Sequence, residues 1–102
     1  MKKYNKLVRD KIPEIIRADD KECEVKIAEG KEKYEFLEKK LMEEVNEFLE
    51  DRNLEELADV MEVLFGLARE IGYSEEDLIR KREEKKSERG GFEDGIVLVK
   101  VK

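Results

Sequence analysis

A chain of 102 residues has room for one compact domain and too little for two. Charged residues make up 49% of it and apolar residues 39%, and the net charge of −6 excludes a global basic field for nucleic acid, although the C-terminal third is locally basic. No stretch is long and apolar enough for a bilayer-spanning helix, and no secretory apolar core stands at the N-terminus.

Cys23 is the only cysteine and cannot form an internal disulfide, which fits a reducing cytoplasm; a cytoplasmic setting is the expectation. The apolar residues recur periodically, so the high charge does not imply disorder. Gln, His and Trp are absent, and Lys, Arg and Glu dominate, a balance that resembles heat-adapted proteins with surface ion networks. Without His there is no Ser-His or Cys-His nucleophile pair and no imidazole metal ligand. General-base work would fall to a carboxylate, a lysine or metal-bound water.

In chain order, Asp10 is expected to cap a short helix through about Ala18, with Pro13 tolerated in its first turn. Cys23 to Ala28 alternates: Cys23, Val25 and Ile27 on one side, Glu24, Lys26 and Ala28 on the other. That is a strand pattern.

The first long helix is expected from about Lys31 to Asp51, with Tyr34, Leu37, Leu41, Val45 and Phe48 as its apolar stripe. At about 100° per residue, Glu44 falls roughly 60° from Leu41, at the stripe's edge. Glu47 lies further round and Glu43 further still. Glu44 and Glu47 are therefore the pair expected to point inward.

A second long helix is expected from about Leu54 to Ile71, stopped by Gly72. Leu54, Leu57, Met61, Leu64, Phe65 and Ala68 form one apolar face, and Val60, Val63 and Leu67 another. Glu56 and Asp59 flank Val63. Ser74 starts a third helix to about Arg89, with Asp77 completing a capping box. Ile96 to Val101 is a β-branched run that reads as a strand. Neither strand is stable alone, so the two are expected to pair. The expected fold is all-α: a bundle of about four helices with a small two-stranded ribbon.

The chemistry concentrates in two acidic clusters, Glu43-Glu44-x-x-Glu47 and Glu56-x-x-Asp59. Carboxylates three or four residues apart share one side of a helix. Two such sets on neighbouring helices would gather carboxylates around one point, a density of like charge that a multivalent cation readily tolerates. An all-oxygen site favours Mg2+ or Mn2+ over Zn2+. Each cluster also has an ordinary alternative. Glu43, Glu44 and Glu47 could form a solvated face, and Glu56 could reach back to an Asn53 N-cap. Asp59 is harder to account for, being a poor helix former beside Val60 and Val63.

Two basic sets accompany the carboxylates. Lys85, Lys86 and Arg89 either complement a helix C-terminus or bind phosphate, and Gly90-Gly91-Phe92 allows a sharp turn and close backbone approach to a ligand. Lys6, Arg9 and Lys11 form the second set. Tyr4, Phe36 and Phe92 could stack on a base or simply pack.

The acidic pattern resembles the E-E-x-x-E … E-x-x-D signature of the MazG-like all-α NTP pyrophosphatases. The opening Tyr4-Asn5-Lys6-Leu7-Val8-Arg9-Asp10-Lys11-Ile12-Pro13 and the closing Arg89-Gly90-Gly91-Phe92-Glu93-x-Gly95-Ile96 resemble the small phosphoribosyl-ATP-pyrophosphohydrolase-like branch. These two motifs are more specific than the carboxylates, and the resemblance spans nearly the whole chain. It implies a helical bundle whose acidic residues hold Mg2+, with Mn2+ as a substitute. Such enzymes cleave a nucleoside triphosphate between the α and β phosphates, giving a monophosphate and pyrophosphate, and clearance of non-canonical nucleotides is one such use.

By the same resemblance, Glu44, Glu47, Glu56 and Asp59 would ligate the metal, and Glu43 would add a ligand or orient water. Lys86 and Arg89 match a K-x-x-R element and would bind phosphate, Lys86 assisting departure of pyrophosphate. Lys6, Arg9, Lys11, Lys85 and Phe92 complete the expected substrate contacts. One departure is the short spacing: eight residues separate Glu47 from Glu56, so the turn near Asp51-Arg52-Asn53 must be tight.

The expected partners are a nucleoside triphosphate and further copies of the chain, with no membrane and no stable nucleic-acid partner. A homodimer or larger homo-oligomer is expected because Val60, Val63 and Leu67 would leave an apolar patch on a lone three-helix bundle. The rival to the enzyme is a non-catalytic helical module that binds a nucleotide or a protein.

Overall fold

The two long helices form because their apolar residues repeat at helical spacing, and a tight turn folds one back on the other. The computed structural model describes residues 4–102 and contains four helices: α1 (Ile12–Ala18), α2 (Gly30–Asp51), α3 (Leu54–Glu70) and α4 (Glu75–Arg89). The protein is all-α among the described residues.

Helices α2 and α3 make the principal packed pair, and α4 packs against α3. The turn between α2 and α3 is as short as the spacing demands. Arg52 adopts a left-handed conformation (φ 51°, ψ 48°), its amide donates to the Phe48 carbonyl, and Asn53 already caps α3. At α4 the expected capping box is complete: Ser74 Oγ accepts from the Asp77 amide, and Asp77 Oδ2 accepts from the Ser74 amide.

The core is thin. Its buried apolar residues are Leu37 on α2 and Val63, Phe65 and Ala68 on α3, with Tyr34, Leu41, Val45, Phe48, Val60 and Leu67 half-buried around them. Gly66 lets the helices close: a Cβ there would lie 3.0 Å from Leu37 Cδ2.

Three expectations need correction. The two-stranded ribbon of residues 23–28 and 96–101 is not formed; neither segment is a strand. Ile96, Val97, Leu98, Val99 and Val101 are each about four-fifths exposed. An isolated two-stranded ribbon is marginal without a third strand or a helix face behind it, and among the described residues no element backs the tail. The radius of gyration is accordingly 17.7 Å and the longest extent 61 Å, against about 13 Å for a compact chain of this length.

The cap of α1 is the second correction. Lys11, not Asp10, is the N-cap residue, and no side chain caps the helix. The Ile12 amide instead donates to the Arg9 carbonyl in a turn.

The third correction concerns which face of α3 is left open. Val63 is buried with Val60 and Leu67 half-buried, so the face expected to be bare is covered. The bare stripe is Leu54, Leu57, Met61 and Leu64, each at least 40% exposed. The α2–α3 turn turns the Val63 side inward, and one partner helix cannot cover both sides of α3.

Candidate metal centre

Glu44 sits at the edge of the α2 stripe, and folding α2 against α3 carries that edge into the interface. It is the one buried charged residue among the described residues, only 5% exposed. Across the interface, Glu56 and Asp59 project from the first two turns of α3 and are half-buried. One carboxylate oxygen from each of Glu44, Glu56 and Asp59 lies within 4.8 Å of the others. The tight turn at Arg52 makes this possible, because it sets the second cluster directly opposite the first.

Two carboxylate oxygens here, Glu44 Oε2 and Glu56 Oε2, are buried without a hydrogen-bond partner. Such groups ordinarily carry a desolvation cost, and convergent, partnerless oxygens are what a hard cation requires. The all-oxygen donor set is therefore of a kind that suits a hard divalent cation. The capping alternative for Glu56 is only half realised. Asn53 Oδ1 accepts from the Glu56 amide at 2.9 Å, but the Glu56 side chain makes no reciprocal bond of the kind that completes the box at Ser74 and Asp77.

Three cations surround the cluster. Lys40 Nζ donates to Glu43 Oε1 at 3.4 Å and lies 3.1 Å from Glu44 Oε1. Lys6 Nζ donates to Glu43 Oε1 at 3.1 Å. Arg9 Nη2 donates to Asp59 Oδ1 at 2.7 Å. Lys6 also lies over the Tyr4 ring, 5.7 Å from its centroid.

These contacts set the protonation equilibria. Burial pushes the Glu44 carboxyl up, and the charges of Glu47 and Asp59 push the same way, so it stays raised despite Lys40. For Glu43, burial is outweighed by the hydrogen bond from Lys6 and the charge of Lys40, and its pKa is lowered. Lys40 is raised, because hydrogen bonding to Glu44 and the charges of Glu43 and Glu44 outweigh its burial.

The expected ligands thus divide. Glu44, Glu56 and Asp59 come together; Glu47 is half-buried beside Glu44 but stands outside the converging group. Glu43 is also outside it, neutralised by two lysines. Of the expected substrate contacts, Lys6 and Arg9 lie on the carboxylates. Lys11 and Lys85 are exposed.

Lys86, Arg89 and Phe92 line a separate cavity of about 420 Å3 at the end of α4, formed with Gly90, Gly91 and the Glu93–Ile96 turn. None of the carboxylates Glu43, Glu44, Glu47, Glu56 or Asp59 lines it. Gly90 turns the chain there with φ 83°, and its amide donates to the Lys86 carbonyl.

Lys40 is the site residue that sequence reasoning missed. Its signal was present: it precedes Glu43 by three residues and Glu44 by four, and both spacings bring side chains together on a helix. Comparison of the chain with protein-family models, with curated proteins and with solved structures finds no match.

Proposed function

We propose that this chain is a Mg2+-dependent nucleoside triphosphate pyrophosphohydrolase of the MazG-like kind, cleaving the α–β phosphoanhydride to a monophosphate and pyrophosphate. The observation that carries this reading is the convergence of Glu44, Glu56 and Asp59, with Glu44 Oε2 and Glu56 Oε2 buried and partnerless. The resemblance of the opening and closing motifs supplies the reaction class.

Glu44, Glu56 and Asp59 would hold the cation, with Glu47 as the adjacent fourth carboxylate. When bound, the cation would reverse the local charge, polarise the α-phosphate and lower the pKa of an attacking water. Glu43 is tied to Lys6 and Lys40 and its pKa is lowered, which makes it a weak base. Its role in this reading is to hold the two lysines, and orienting water falls to Glu47. Lys86 and Arg89 would bind the departing pyrophosphate. The cavity they line contains none of the carboxylates, so in this reading the α4 end comes to a site from another copy of the chain. A homo-oligomer with shared sites belongs to the same proposal.

The test is a panel of ribo- and deoxynucleoside triphosphates with millimolar Mg2+, common and modified bases included, with monophosphate and pyrophosphate measured. The expected result is stoichiometric pyrophosphate from some member of the panel. Orthophosphate with a diphosphate would place cleavage at the other bond, and no product from any nucleotide would favour the binding-module reading.

A further inference from the structure

The segment before α1 reaches across both helices of the acidic pair. Lys6 bonds to Glu43 on α2, and three residues later Arg9 bonds to Asp59 on α3. The two contacts differ in what they hold. Glu43 lies outside the converging carboxylates, whereas Asp59 is one of the three. A divalent cation taking Asp59 would compete with the Arg9 guanidinium, while Lys6 on Glu43 need not move.

The Arg9–Asp59 contact is suited to such an exchange. Their side chains are 54% and 37% exposed, and ion pairs this open to water are individually weak. A guanidinium also has a second use beside a phosphate site, since its planar fork matches phosphate oxygens. Lys6 would keep it close: the two residues between Lys6 and Arg9 limit its excursion to about 10 Å.

We infer that Arg9 is an exchangeable counter-ion of the metal centre. It neutralises Asp59 before the divalent cation binds, is displaced from Asp59 by that cation, and then donates to the phosphates of the incoming nucleotide. The inference rests on the metal reading above and adds an order to it, cation first and nucleotide second. The short connection from Lys6 to Arg9 bounds the movement.

The exchange predicts effects of opposite sign in one variant. For Arg9→Ala, Mn2+ titration followed by electron paramagnetic resonance should show about two- to fivefold tighter binding, because a competing cation is gone. Calorimetric titration of the Mn2+-loaded protein with a non-hydrolysable triphosphate analogue should show about tenfold weaker binding, because a phosphate donor is gone. Arg9→Lys should recover part of both, and helical circular dichroism should match the parent in each variant.

Weaker Mn2+ binding in Arg9→Ala would make the contact a structural staple and overturn the exchange. Unchanged Mn2+ affinity would do the same. Tighter Mn2+ binding with unchanged analogue affinity would overturn the transfer to phosphate. Absence of Mn2+ binding in the parent protein would remove the metal reading itself, a result distinct from these.

Discussion

Lys40 Nζ lies 3.1 Å from Glu44 Oε1, one helical turn away, and Glu44 is the most deeply buried charge described in the chain. The pair is asymmetric: Lys40 partners Oε1, while Oε2 is buried with no partner. One oxygen is held, and under the proposed function the other would meet a cation.

Replacing Lys40 with Met is therefore expected to destabilise the metal-free protein by about 1–3 kcal/mol, since a buried carboxylate loses its counter-charge. The loss should depend on pH. The Glu44 pKa is raised above its unfolded value, so the folded state binds this proton more tightly. The corresponding stability is present at acid pH and lost as pH rises out of the ordinary carboxylate range through the raised value. The Glu43 pKa is lowered, so its contribution runs the other way and is lost as pH falls through that lowered value. Urea denaturation of Lys40→Met and the parent should thus diverge at pH 7 and converge near the lower carboxylate range. An equal difference at both ends would mean that only packing of the lysine stem was lost.

Asp59→Asn is expected to abolish pyrophosphate release yet leave the metal-free melting temperature within a few degrees of the parent. It removes one of the converging like charges, a relief, and loses only the charge of an exposed pair with Arg9, worth about 0–1 kcal/mol. A large drop in the melting midpoint would make Asp59 a structural residue.

Lys86→Ala and Arg89→Ala are expected to weaken binding of a triphosphate analogue by about tenfold each and to leave Mn2+ affinity unchanged. The cavity they line contains none of the clustered carboxylates, so under the proposed function metal and phosphate binding should separate. Calorimetric titration reads both. Unchanged analogue affinity in both variants would return these cations to the helix C-terminus alone, where they complement the α4 carbonyls.

Self-association is the fourth expectation. Leu54, Leu57, Met61 and Leu64 form one exposed stripe on α3, and the 96–101 tail is bare. Exposed apolar surface on that scale marks an interaction site, and a two-fold dimer is the commonest way to bury one patch against itself. Light scattering should give at least twice the chain mass of 12.1 kDa. Leu57→Glu should shift the mass toward the monomer and lower stability, since the stripe would carry a charge in its centre. A parent protein that stays monomeric at micromolar concentration, fully active, would remove the shared-site arrangement.

Helices α2, α3 and α4 were legible in the sequence because their causes are local, whereas the Asp10 cap expected for α1 is not made. The periodic apolar stripes of α2 and α3, Asn53 before Leu54, and the Ser74–Asp77 box all act within a few residues, and the structure keeps them. The acidic spacing likewise grouped Glu43, Glu44 and Glu47 on one helix and Glu56 and Asp59 on the next; of these, Glu44, Glu56 and Asp59 come together while Glu43 and Glu47 stand outside the group. The strand readings failed for a reason of the opposite kind. Alternation at Cys23–Ala28 and the apolar run at Ile96–Val101 describe a capacity to pair, and pairing needs a backing surface that residues so far apart in the chain cannot guarantee.

What only the tertiary structure decided lies between elements. Which face of α3 is covered depended on the Arg52–Asn53 turn, and the face expected from helical spacing to be bare, Val60, Val63 and Leu67, is the one that is covered. The burial of Glu44, the placement of Arg9 on Asp59 and of Lys6 on Glu43, and a cavity that Lys86 and Arg89 line without any of the carboxylates all follow from how the elements pack. A sequence determines which side chains share one helix face, because the helix period is fixed by the backbone. It does not by itself reveal which faces meet, because that depends on packing all the elements at once.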